Sequence, residues 1–155
     1  MSDTPTYLNT WTTYGTWLPG DARGSFVEDR LDGRGISGPK PKLEKAAREA
    51  MQGAPVVLGD TARAVVDRAI RQHAAFRMWD LAALNVRTNH VHLVVTAARD
   101  PARVMAEFKA RATRALREAG LVADDARVWT KHGSTRHLHT EHSKARALLY
   151  VMEGQ

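Results

Sequence analysis

Apolar and polar residues alternate through two neighbouring segments in the middle of the chain. These are LAALNVR at 81–87 and HVHLVVTA at 90–97. Such alternation is typical of strands with one buried face, and the polar Thr88-Asn89 link between them predicts a hairpin. YLNTWTTY at 7–14 predicts a first strand because it is rich in Thr, Trp and Tyr. RVWTKHG and STRHLHT at 127–140 predict either a strand pair or a strand and a loop.

Helical spacing dominates the other apolar segments. Asp60 is predicted to cap a helix over 61–79, in which an apolar stripe recurs every three to four residues. Asp100 and Pro101 open a second helix, which Gly120 ends. Thr140 caps a last helix, EHSKARALLYVME, and a short helix is predicted at 41–52.

The predicted order β-α-α-β-β-α-β-α contains no internal repeat and no domain boundary. It predicts an α+β fold, with a central antiparallel sheet and helices mainly on one face. We expect one domain over residues 1–155, with an excursion rich in Gly and Pro at about 18–58.

The composition indicates a basic globular protein, of a kind that often binds a polyanion. Lys and Arg number 23 against 17 acidic residues, which gives a net charge of +6 and a pI near 10.1. A basic small protein often binds nucleic acid, although an ordinary basic surface is equally compatible with the charge alone. The chain has no cysteine, which excludes disulfides and thiolate sites and suits a reducing cytoplasm. Neither a signal peptide nor a membrane-spanning apolar run is evident, so no membrane partner is expected.

His90 and His92 are the strongest candidates for chemistry. Side chains alternate along a strand, so both imidazoles project from one face while Val91 projects from the other. Two adjacent imidazoles supply half of a divalent metal site. The His-x-His pattern is common, and two histidines on an exposed sheet face would produce it equally well.

The surrounding residues add a family resemblance. NHVHLVV resembles the HUH motif (His, bulky apolar residue, His) of single-tyrosine transposases from insertion sequences and of REP-associated tyrosine transposases. TWTTYGTWLPGDARGSFV, VWTKHGSTRHL and ALLYVMEGQ resemble the first strand and loop, the segment before the last helix, and the terminal helix of these proteins. The matching segments are 7–27 and 80–155.

The resemblance implies a ferredoxin/RRM-like HUH endonuclease fold. It also implies an enzyme that cleaves and rejoins single-stranded DNA, at sites flanked by hairpins, through a 5′-phosphotyrosine intermediate and with Mg²⁺ or Mn²⁺. The expected location is the bacterial cytoplasm, in association with the nucleoid. A homodimer is possible within this family, since insertion-sequence members share tyrosine helices between two chains and REP-associated ones resemble monomers.

Tyr150 is the predicted nucleophile among three tyrosines, the others being Tyr7 and Tyr14. At about 100° per residue, Tyr150 lies roughly 150° from the centre of an apolar stripe of the last helix, so it is predicted to point away from the core. A surface tyrosine without a role would show the same pattern. The predicted stripe consists of Ala145, Leu148, Leu149 and Met152.

The third metal ligand has two candidates. The family resemblance favours Gln155, but the residue one turn after Tyr150 is Gly154, so the helix would have to bulge or unwind there. Helical geometry favours Glu153, whose carboxylate suits Mg²⁺ or Mn²⁺.

Basic and aromatic residues outside the presumed site are candidate DNA contacts. A second histidine cluster, which includes His137 and His139, leaves a zinc site open as an alternative. Two further functions remain open: a non-cleaving DNA- or RNA-binding module of the same fold, and a metal-dependent nuclease that uses water. The predicted DNA-binding residues are Trp17, Arg23, Arg111, Arg114, Lys131, Arg136, His137 and Lys144.

Overall fold

The computed structural model describes residues 4–15 and 55–153, together with the backbone of two short strands at 25–26 and 36–37. The predicted helix at 41–52 and most of the 18–58 excursion lie outside the described residues.

A four-stranded antiparallel sheet forms the centre of the molecule. The described strands are β1 (Thr6–Thr12), β2 (Ser25–Phe26), β3 (Ile36–Ser37), β4 (Asp80–Val86), β5 (His90–Thr96) and β6 (Ser134–His137). The main sheet has the order β4-β5-β1-β6, and β2 pairs separately with β3. With the helices, this order is the β-α-β-β-α-β arrangement of ferredoxin-like folds, so the predicted α+β class is confirmed.

The described helices cover the two faces of the sheet unequally. They are α1 (Asp60–Arg77), α2 (Pro101–Glu118) and α3 (Glu141–Met152). α1 and α2 pack over the face that carries Trp11 and Leu93 and form the main core with them. α3 packs on the opposite face, over Ala83 and Val94. Two of these three helices therefore share one face, as predicted.

The predicted N-caps are confirmed at two of three positions. Asp100 accepts a hydrogen bond from the Ala102 amide, and Thr140 forms a capping box with Ser143. The prediction for Asp60 is wrong, because Gly59 is the N-cap and Asp60 is the first helical residue. The Asp60 carboxylate instead pairs with Arg63, one turn further along α1.

The 127–140 segment forms a strand and a loop rather than a strand pair. Trp129 makes one isolated bridge to Thr13, and only β6 pairs along β1. Between them the backbone turns sharply, with His132 at a φ of 70°. At Gly133 a Cβ would meet the Thr10 carbonyl oxygen at 2.7 Å, so glycine is required there for the close approach to β1.

Candidate active site

The two histidines of the HxH motif lie side by side on the face that α3 covers. In the pairing with β1, His90 lies opposite Thr12 and His92 opposite Thr10. The centroids of the two imidazole rings are 5.1 Å apart. Val91, on the other face, is part of the main core. The alternation of the strand thus places the two histidines on one face and Val91 on the other, as the sequence predicted.

His92 is an anomalous core residue. Its side chain is 0% exposed, and neither ring nitrogen has a hydrogen-bond partner among the described residues. Burial, with smaller contributions from the nearby His90 and Arg87, lowers the pKa of His92 to about 4. The ring is therefore neutral at physiological pH, which is the form that binds metal ions. An unsatisfied buried imidazole is costly, so a ligand that uses its nitrogen would remove a real penalty.

His90 is only partly buried, and Asn89 helps to fix its orientation. The Nδ1 atom of His90 lies 2.8 Å from the Oδ1 atom of Asn89. Metal-binding histidines commonly use one ring nitrogen for such a contact and the other for the ion. The donor chemistry of the pair therefore fits a divalent metal ion.

Tyr150 lies directly beside the histidine pair in the same chain. Its ring centroid is 5.2 Å from that of His92, and its side chain is 43% exposed. Tyr7 and Tyr14 are both buried, Tyr7 in the main core, and burial, with Asp100, raises the pKa of Tyr7 to about 12. Of the chain's three tyrosines, only Tyr150 is presented to solvent.

The predicted apolar stripe of the last helix is wrong, although Tyr150 still leaves the core. Tyr150 lies on the flank of the buried face, three residues after Ala147, rather than opposite it. The reason is that this short helix carries apolar residues on several of its sides. Its sequence pattern alone therefore does not select the face that meets the sheet. The buried residues are Ala147 and Val151, Leu148 is partly buried, and Ala145, Leu149 and Met152 are exposed.

Asn85 is a site residue that the sequence analysis missed. It lies opposite His92 in the pairing of β4 with β5, and its Nδ2 atom donates a hydrogen bond of 2.9 Å to the Val151 carbonyl oxygen. This bond fastens the last turn of α3 to the sheet, next to the ring of Tyr150. The available signal was an amide side chain on the inner face of an otherwise apolar strand.

The structure does not bring a third ligand to the pair. Gln155 lies outside the described residues. Glu153 is the exposed C-cap of α3. Among the described residues, no three His, Cys, Asp or Glu side chains form a group that could hold a metal ion, which applies equally to His137 and His139. Their rings stack on each other at 5.8 Å.

The predicted DNA-binding residues of the last third of the chain are divided between the two faces. Arg136 lies opposite Leu8, on the histidine face, and is exposed. Lys131 is exposed in the loop after Thr130, whose hydroxyl lies 2.7 Å from that of Thr12 at the His90 end of the sheet. His137 lies opposite Tyr7 instead, on the face of the main core, with 5.8 Å between the ring centroids.

The remaining candidates lie away from the histidines or outside the described residues. Arg111 and Arg114 are exposed on α2, which covers the opposite face of the sheet. Lys144 pairs with Glu141 at 3.6 Å. Trp17 and Arg23 lie outside the described residues. No described helix is long and apolar enough to cross a membrane.

Comparisons with known proteins agree at the level of the fold. The structure of a REP-associated tyrosine transposase bound to a REP hairpin is similar, with a TM-score of 0.56 and 14% identity over 97% of this chain and 70% of the other. A crystal structure of a Deinococcus radiodurans R1 protein assigned as a transposase is also similar, with a TM-score of 0.50 and 17% identity over 96% of this chain and 88% of the other. No family model and no curated protein matches the sequence. The resemblance drawn from the motifs is thus confirmed as a shared fold.

Proposed function

We propose that this protein is a metal-dependent endonuclease and transposase that cleaves and rejoins single-stranded DNA, with Tyr150 as the nucleophile. One observation carries the proposal: the exposed tyrosine of the chain lies 5.2 Å, ring to ring, from a buried histidine whose nitrogens lack partners. A transposase-like role in DNA binding is also supported by the shared fold.

The proposed reaction is a transesterification at a DNA phosphate. The Oη atom of Tyr150 forms a bond to phosphorus and gives up its proton, and the bond from phosphorus to the 3′ oxygen breaks. The 3′ oxygen takes a proton and leaves as a free hydroxyl, while the 5′ side stays on the tyrosine. A phenol is a better leaving group than an alkyl alcohol, so the reverse attack by a 3′-OH rejoins the strand without ATP.

His90 and His92 would hold the Mg²⁺ or Mn²⁺ ion, with Gln155 or Glu153 as candidates for a third ligand. When bound, the ion would polarise the scissile phosphate and neutralise the charge that develops on it. The chain's own residues orient the reactants: Asn89 fixes the His90 ring, and Asn85 fixes the turn of α3 that carries Tyr150.

The proposed substrate is single-stranded DNA with a hairpin beside the cleavage site. The hairpin is suggested by the REP hairpin in one structurally similar transposase and by the basic charge of this chain. A bacterial cytoplasmic location near the nucleoid is part of the same proposal.

Formation of a covalent adduct tests the nucleophile. The protein is incubated with Mn²⁺ and single-stranded DNA that carries a hairpin, and the products are separated on a denaturing gel. Wild type should form a protein–DNA adduct in which the labelled fragment is attached through its new 5′-phosphate. Tyr150→Phe should form no adduct. Leu149→Ala, the neighbouring exposed position on α3, is the matched control and should retain the adduct.

The same experiment separates the other functions. If Tyr150→Phe still cuts the DNA while His90→Ala does not, the enzyme is a nuclease that uses water. A non-cleaving DNA- or RNA-binding module of the same fold is the second candidate, and the fold shared with a hairpin-bound protein is compatible with it. In that case wild type should bind the hairpin without forming an adduct and without measurable affinity for Mn²⁺.

A further inference from the structure

We infer that the DNA backbone next to the scissile phosphate lies in a groove that crosses the sheet, with the hydroxyls of Thr10 and Ser134 on its floor and Arg146 on its wall. This inference rests on the proposed function, because it assigns the path of the substrate strand at the same site. It adds three residues to which neither the motifs nor the comparisons assign a role.

The floor of the groove follows from the register of the four strands. Asn85 lies opposite His92, His92 opposite Thr10, and Thr10 opposite Ser134. Directly opposite residues project from the same face, with Cβ atoms about 5 Å apart. One row of side chains therefore runs from the tyrosine helix through His92 to the edge strand. Thr10 and Ser134 are both partly exposed, and by their register their side chains belong to this face.

The wall of the groove follows from the phase of α3. Arg146 precedes Tyr150 by four residues, so the two side chains share one flank of the helix. Arg146 is exposed, and its guanidinium makes no ion pair with any described residue. Lys144 lies on the other flank, about 120° from Tyr150 around the helix. Its ammonium group is partly neutralised by Glu141.

α3 leaves the edge of this face open to solvent. The helix packs against β4 and β5, where Val151 and Ala147 meet Ala83 and Val94. Thr10 and Ser134 belong to β1 and β6, and the ring of Tyr150 meets that of His92 on β5, the strand next to β1. No acidic residue stands in the floor row. Glu153, the acid on the Arg146 flank, is seven residues further along the chain, which is roughly 10 Å along a helix.

The donors of this groove suit a phosphodiester backbone. Hydroxyls of Ser and Thr and guanidinium groups are common donors to phosphate oxygens, and Arg can engage two oxygens at once. The row leads to His92 and Tyr150, so a strand that follows it would bring one of its phosphates to the nucleophile. The geometry places the adjoining phosphates beside Arg146 and the two hydroxyls.

The test measures DNA affinity without cleavage. Tyr150→Phe protein is titrated in EDTA with labelled single-stranded hairpin DNA, by fluorescence anisotropy, at several salt concentrations. Adding Arg146→Ala should weaken binding about tenfold and reduce the slope of log K against log salt by about 0.7, the share of one phosphate contact on a single strand. Adding Thr10→Val should weaken binding about threefold and leave the slope unchanged, because a hydroxyl carries no charge. Valine preserves the shape and the β-propensity at this strand position.

Arg68→Ala is the matched control, since it removes an exposed arginine from α1, on the opposite face of the sheet. It should change affinity by less than twofold. Equal effects of Arg146→Ala and Arg68→Ala, with equal slopes, would overturn the groove. If Arg146→Ala weakens binding although wild type never forms an adduct, the groove stands and the proposed cleavage fails. If the adduct forms and Arg146→Ala binds like its parent, the cleavage stands and the groove fails.

Discussion

At the scale of single residues, His92 lowers the stability of the fold and has a side chain suited to bind a metal ion. Both ring nitrogens of His92 are buried and have no hydrogen-bond partner within the described part of the chain. This destabilises the folded state, because water satisfies those nitrogens in the unfolded one. A leucine would fill the same space without that penalty. The sequence keeps the imidazole at a position where packing alone favours an apolar residue, which fits a ligand better than a structural role.

We therefore predict that His92→Leu stabilises the metal-free protein and abolishes its response to metal. In EDTA the free energy of unfolding should rise by about 1–2 kcal/mol, because the unsatisfied nitrogens are removed. Urea unfolding with EDTA and with Mn²⁺ measures both effects, and only wild type should gain stability from Mn²⁺. His142→Leu, at an exposed histidine of α3, is the control. A loss of stability in His92→Leu without metal would contradict the interpretation.

At the scale of elements, α3 is held to the sheet by few contacts. Its fully buried side chains are the small Ala147 and the branched Val151, so packing contributes modestly. The capping box of Thr140 fixes its first turn, and the bond from Asn85 fixes its last. The helix therefore depends on its two ends to hold Tyr150, the proposed nucleophile, beside the histidines.

Asn85→Ala should loosen the last turn of α3 without unfolding the domain. We expect a loss of about 1 kcal/mol of stability, typical of one hydrogen bond. Amide exchange should become faster at 149–153, and adduct yield should fall by more than DNA affinity does. Hydrogen exchange with mass spectrometry checks the first effect. Unchanged exchange at these amides would show that the bond does not hold the turn.

The loop at 130–133 depends on a partly buried ammonium group. Lys109 of α2 donates hydrogen bonds to the carbonyl oxygens of Thr130 and His132, at 3.0 and 2.6 Å. Burial lowers the pKa of Lys109 to about 8 from the ordinary 10.5. These bonds hold the loop that carries Lys131 at the His90 end of the sheet.

The lowered pKa predicts how stability changes at alkaline pH. Between about pH 8 and 10.5 the unfolded chain keeps the Lys109 proton and the folded chain has lost it. Stability therefore rises with pH across this window, by at most about 3 kcal/mol. The neutral amine still donates to both carbonyls. Lys109→Met should flatten the rise, as measured by urea unfolding at pH 7.5, 9 and 10.5; parallel curves for the two proteins would contradict the prediction.

The elements with long regular patterns could be predicted from the sequence, and the details of the site could not. The hairpin of β4 and β5 and the helices capped by Asp100 and Thr140 follow from local chemistry. The buried face of α3 could not be predicted, because a helix of 12 residues with apolar residues on several sides has no unique stripe. Arg146 and Asn85 gain their significance from that face and from strand register, which only the folded chain defines.

At the scale of the whole molecule, one chain brings Tyr150 and His92 together. The contact is made within a single copy, so Tyr150 and His92 need no partner chain in order to meet. A homodimer, the other part of the prediction, stays a prediction, and in it each chain would keep its own tyrosine beside its own histidines.

Mixing two inactive variants tests this arrangement. Tyr150→Phe and His92→Leu protein are combined and incubated together with hairpin DNA and Mn²⁺. Because each chain lacks one half of its own site, no adduct should form above the level of the separate variants. Recovery of the adduct in the mixture would mean that the tyrosine helix works in trans. A wild-type sample diluted to the same active concentration sets the detection limit.

If Tyr150 is the nucleophile, as proposed, the burial of Tyr7 and Tyr14 sets the stoichiometry of strand transfer. With one accessible phenol, a chain would then hold one DNA end covalently at a time. Joining that end to a different strand then requires the second strand to arrive with its own free 3′-OH, supplied by another chain or by an earlier turnover. Titration of active sites should accordingly saturate at one covalently bound DNA end per protein molecule. A reaction that exchanges two DNA ends at once should require two protein molecules.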